Sequence, residues 1–107
     1  MTPRVRLHPL VPADLPSILD YLAKRSGATA DRFGAAVEST LDALAALPGK
    51  GSPKHFRGRH LSDLRTWHVS GFPNYLIIYY PIPDGIRVVG IVHGSRNLLR
   101  LLKERLP

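Results

Sequence analysis

Toward the C-terminal end of this 107-residue chain, His93 is followed by Gly94-Ser95 and then by Arg96-Asn97. An imidazole titrates close to neutrality, and a guanidinium is a permanently charged planar fork that fits phosphate or carboxylate. Held together, the two could supply a general acid beside a phosphate clamp, which is what cutting RNA through an attacking 2′-hydroxyl requires. The same residues equally suit a structural corner, with His93 bonded to backbone, Gly94 allowing the turn, Arg96 in an ion pair and Asn97 capping a helix. Arg65 offers a second fork, open to an anion or paired with Asp63. Tyr75, Tyr79 and Tyr80 add three rings that either fill a core or stack on a base or a partner's helix.

Between Lys50 and Arg65 the chain carries Lys50, Lys54, Arg57 and Arg59 with His55, Phe56 and His60 interleaved. Such a loop either tracks a phosphate backbone or is simply a solvated charge run. His55 and His60 lack i, i+4 spacing and have no cysteine or acidic companions, so no metal site is expected. There is no nucleophile elbow and no Gly-rich phosphate loop, and no cofactor is expected.

These side chains need a scaffold, and the apolar spacing supplies one. Val5-Arg6-Leu7-His8 suits a short edge strand, closed by Pro9 and Pro12. Asp14 is placed to cap a helix in which Leu15, Ile18, Leu19 and Leu22 share one face, with Gly27 as its stop. Thr29 can cap a second helix striped by Phe33, Val37, Leu41 and Leu44, ended by Pro48-Gly49. So short a link makes the two an antiparallel hairpin. Residues 50–63 read as a long connection. Arg65 to Gly71 then alternates as a strand, and Tyr75 to Tyr80, apolar on both faces, reads as the central strand, ended by Pro81 and Pro83. Asp84-Gly85 marks a turn into a strand over Ile86 to His93. Asn97 can cap a last helix in which five leucines oppose Arg100, Lys103 and Arg105. The predicted order is β-α-α-β-β-β-α, an α+β fold with a helical hairpin on a mostly antiparallel sheet, spanning residues 1–107 as one domain.

The net charge of +7 is unevenly placed. Residues 1–49 hold five Lys/Arg and five acids, whereas residues 50–107 hold ten against three. That asymmetry favours an anionic partner, either nucleic acid or an acidic protein segment, although a basic protein need have neither. Cysteine is absent, which excludes disulfides, zinc-thiolate sites and thiol nucleophiles and fits a reducing compartment. With no apolar run approaching about 20 residues, no membrane span is expected, and the protein is expected to be cytoplasmic.

Gly71-Phe72-Pro73-Asn74-Tyr75-Leu76-Ile77-Ile78-Tyr79-Tyr80 followed by Val92-His93-Gly94-Ser95-Arg96-Asn97 resembles the ParE/RelE superfamily of toxins from type II toxin–antitoxin modules. The ParE-like branch carries runs of the type G-F-P-N-Y-L-I-x-Y and H-G-x-R-[DN], and His60-Leu61-Ser62-Asp63-Leu64-Arg65 is similar to the segment leading into those toxins' second strand. The resemblance implies a toxin that blocks DNA gyrase and serves plasmid stabilisation. Its implied partner is a small, acidic, DNA-binding antitoxin, held in a toxin–antitoxin hetero-oligomer. On that reading the protein is a binding inhibitor, with Arg65, His93, Arg96 and Asn97 facing the target. The alternative is a RelE-like endoribonuclease acting on messenger RNA at the ribosome, with Arg65 and Arg96 on phosphate and His93 or Tyr79 as acid or base. Against it, no tyrosine follows Tyr80, whereas those ribonucleases carry a late one. A third reading is a toxin-like interaction module without activity.

Overall fold

The computed structural model describes residues 2–54 and 63–106. A strand, β1 (Arg4–Leu7), leads into two helices, α1 (Val11–Ala23) and α2 (Gly27–Ala46). A 3-10 turn at Pro48–Lys50 and a two-residue strand, β2 (Ser52–Pro53), precede β3 (Arg65–Val69), β4 (Phe72–Ile82) and β5 (Gly85–His93), and α3 (Leu98–Arg105) closes the fold. The strands form one sheet in the order β1-β5-β4-β3-β2, antiparallel throughout except where β1 runs parallel to β5. This is the expected α+β arrangement with β2 added. Residues 55–62, which include His55, Phe56, Arg57, Arg59 and His60, lie outside the described residues.

Alternation along β4 divides the core between two faces. Ile77 and Tyr79 pack with Val11 and Leu22 of α1 and with Phe33, Val37 and Leu44 of α2. Ile78 faces the other way, joining Leu64, Val89 and Val92 beneath Leu101 and Leu102 of α3. The sheet is therefore sandwiched, with the hairpin on one face and α3 on part of the other. β5 serves both faces through a register shift opposite Ile78 and Tyr79, where Gly90 and Val88 are paired and Val89 is the extra residue. Val88 and Ile91 thus face the same core although they are three positions apart.

Five local expectations are corrected. Asp14 does not cap α1: the cap position is Leu10, without a side-chain bond, and Asp14 lies buried in the first turn. Its carboxylate is taken by partners described below. Gly27 is not a stop but the first residue of α2, and the cap is Ser26 rather than Thr29, the Ser26 hydroxyl accepting the Thr29 N–H at 3.2 Å. β4 is longer than its prolines suggest, since Pro81 pairs with Ile86 inside it. Beyond Tyr79, the last partner of β3, β4 is bordered only by β5, so a missing donor there breaks no β3 ladder bond. Arg105, expected on the solvent side of α3, is buried.

Candidate functional site at the strand-to-helix corner

The corner is assembled from the core outward. Phe33 is fully buried and meets the rings of Phe72 and Tyr75 edge-on, at 5.0 and 5.1 Å between centroids. Tyr75 pairs with His93 across β4 and β5, and its ring stands edge-on to the imidazole at 5.2 Å. His93 is thus the exposed end of an aromatic row anchored in α2. Its Nδ1 accepts the Ser95 backbone N–H at 3.1 Å and lies 2.7 Å from the Ser95 hydroxyl. Accepting a backbone proton requires an unprotonated Nδ1, so this geometry assigns the neutral ring's proton to Nε2. Gly94 donates to Asn74 O at 2.8 Å and Arg96 N to His93 O at 3.0 Å, which closes the turn.

Asn97 caps α3, with Oδ1 accepting the Arg100 N–H at 3.1 Å. Arg96 is exposed and makes no ion pair among the described residues. Together with Asn97, Arg100, Leu101 and Glu104 it lines a shallow polar depression at the start of α3. The corner thus presents one imidazole N–H and an unpaired guanidinium on a backbone fixed by three hydrogen bonds.

Arg65 and Tyr79 form a separate assembly. They pair across β3 and β4, on the hairpin side of the sheet, and close on the turn after α2. The Tyr79 hydroxyl donates to Pro48 O and accepts the Gly51 N–H, both at 2.8 Å. Arg65 Nη1 donates to Gly51 O at 2.8 Å and to Gly49 O at 3.2 Å. Burial pushes the Tyr79 phenol above its ordinary pKa, only partly opposed by the Gly51 bond and the Arg65 charge. A Cβ at Gly51 would collide with the Tyr79 hydroxyl, so the bracket is built around a glycine. Tyr79 is four residues from Tyr75 along β4, roughly 13 Å at the usual rise. Arg65 and Tyr79 are therefore held together, His93, Arg96 and Asn97 are held together, and the two groups stand apart.

One polar cluster escaped the sequence reading. Arg105 reaches from α3 to Asp14 of α1 in a two-pronged pair, Nη2 to Oδ1 at 2.6 Å and Nη1 to Oδ2 at 2.7 Å. Nη1 also donates to Val89 O at 2.9 Å, and Asp14 Oδ2 accepts the Ile91 N–H at 3.0 Å. The hydrogen bond to Asp14 raises the Arg105 pKa further, against the opposing effect of burial. A signal did exist: Asp14 falls within the stripe Val11, Leu15, Ile18, Leu22, and Arg105 continues Leu98, Leu101, Leu102 at i+3 and i+4 spacing. Opposite charges, each embedded in an apolar helical stripe, are candidates for one buried pair.

Among the described residues no group of three or more His, Cys, Asp or Glu side chains could hold a metal, and no helix is long and apolar enough to cross a membrane. A small basic α+β domain presenting a rigid strand-to-helix corner has the architecture of a RelE/ParE-like toxin. The family model for the ParE toxin of type II toxin–antitoxin systems, parDE, matches residues 5–98, and the chain belongs to that family. No curated protein matches the chain. Membership implies an antitoxin as partner. The match runs from the second residue of β1 to the first residue of α3, so the corner lies within it and Arg105 beyond it.

Proposed function

We propose that this toxin is a binding inhibitor of DNA gyrase, presenting Arg96 to its target, and that a small acidic antitoxin neutralises it. The observation that carries this reading is the exposed guanidinium of Arg96, without an ion pair among the described residues, on a corner whose backbone is already fixed. A charged fork held in this way meets a carboxylate or phosphate with little further ordering. The two-cluster arrangement supports inhibition by binding over RNA cleavage. A ribonuclease would need acid, base and phosphate clamp around one scissile bond, within hydrogen-bond reach. Here the Tyr79 hydroxyl is spent on Pro48 and Gly51, and Arg65 Nη1 is bonded to the same turn.

Arg96→Ala tests the assignment in cells. An exposed side chain contributes about 0–1 kcal/mol to stability, so the variant should melt like wild type and keep its antitoxin affinity while losing growth arrest. A variant that remains fully toxic would remove Arg96 from the functional surface. One that melts many degrees lower would make its role structural.

A further inference from the structure

On the sheet face opposite the helical hairpin, α3 covers only the part around Val89 and Val92. Beside it the strand register places Tyr80 of β4 against Arg87 of β5, and Arg87 against Arg6 of β1. Val5, Ile86 and Val88 pack into the hairpin core, so Arg6 and Arg87 share the other face with Tyr80, whose ring rests against the α3 cluster. Adjacent strands lie about 4.8 Å apart, so the three residues form a short row across the sheet. We propose that this row binds a single nucleic-acid strand, Arg6 and Arg87 taking phosphates and Tyr80 stacking on a base.

Two like charges placed directly across neighbouring strands destabilise a sheet. Asp84 offsets the outer end alone, its Oδ2 lying 3.4 Å from Arg4 Nε and 3.9 Å from Arg6 Nη2. Arg87 has no carboxylate partner among the described residues. A half-buried guanidinium opposed by another, with a phenol ring on its other side, costs the fold and suits an anion. Of the apolar residues of this face, Leu64, Ile78, Val89 and Val92 lie under α3, and Leu76, paired with Val92, is half-buried toward the corner, away from the row. The immediate surround of Arg87 is guanidinium and half-buried ring rather than the apolar stripe that an acidic amphipathic helix would need. Phosphates spaced along a strand, with bases that stack on any exposed ring, match that surface better. The inference goes beyond gyrase inhibition and does not depend on it.

Fluorescence anisotropy of the whole protein with labelled oligothymidine and oligouridine of about 12 nucleotides tests the proposal, since binding footprints on single strands are of that order. Either sugar satisfies the row, and the tighter of the two ligands tells DNA from RNA. Binding should weaken as salt rises, and Arg87→Glu and the exposed Arg6→Glu should each lower affinity about tenfold or more and flatten the salt dependence. Arg87→Glu should melt no lower than wild type, because it faces Arg6 with an opposite charge. Lys24→Glu, the same change of charge on the hairpin side, should leave binding nearly intact. Failure of both oligonucleotides to bind at low salt would overturn the proposal, as would equal losses from Lys24→Glu. Arg87-dependent binding of a glutamate-rich peptide, with none of either oligonucleotide, would reassign the row to an acidic protein partner.

Discussion

Asp14 and Arg105 stand 91 positions apart in the chain, yet their pair fastens the last helix to the first. Removing one partner strands the other charge in a dry site, whereas replacing both with apolar residues of similar volume can be nearly neutral. Arg105→Met or Asp14→Leu alone should therefore cost about 3–5 kcal/mol, and the double variant much less than the sum. Urea denaturation of the three variants checks this. Tyr79 makes a second residue-scale prediction. Its folded pKa lies above the unfolded value of about 10, so the phenol's contribution is complete below that pH and is lost as pH rises through the folded pKa. Wild type should lose stability in the alkaline range above about pH 10, and Tyr79→Phe should lose less there, in melting curves recorded against pH.

Among the elements, α2 does most to position the corner, because Phe33 backs Tyr75 and Tyr75 backs His93. Phe33→Ala should cost about 3–5 kcal/mol by opening a cavity against the sheet, measured by chemical denaturation. The two hairpin helices were legible because Leu15, Ile18, Leu19, Leu22 and Phe33, Val37, Leu41, Leu44 repeat at helical spacing, and burial enforces that spacing. Their ends were not legible. At the start of α2 both Ser26 and Thr29 carry a hydroxyl that suits a cap, and Ser26 performs it, whereas the carboxylate of Asp14, which suits a cap of α1, is taken by Ile91 and Arg105. The strand through Pro81 was misjudged because a proline is tolerated wherever no neighbouring strand needs its donor, and neighbours are a property of topology. β2 has only two residues and no periodicity to betray it. At the corner, Asn97 as a cap and the bonding of His93 to backbone follow from local chemistry and were readable. Arg105 continues the leucine stripe of α3, which marks it for burial, but its pairing with Asp14 depends on where α3 packs, which local chemistry does not contain.

For the whole molecule, the two surfaces proposed for anionic partners are the corner bearing His93 and Arg96 and the row formed by Arg6 and Arg87. Arg65 Nη1 and the Tyr79 hydroxyl bond to the turn after α2, away from the corner. That division underlies the central claim that this ParE-family toxin acts by binding gyrase. The most direct measurement adds purified protein to gyrase with relaxed plasmid and ATP, and in parallel to a cell-free translation reaction whose messenger RNA is mapped for breaks. The account predicts loss of supercoiling or accumulation of cleaved plasmid, reversed by the antitoxin, with the messenger RNA intact. Unimpaired supercoiling together with codon-specific RNA cuts that vanish in His93→Ala would contradict it.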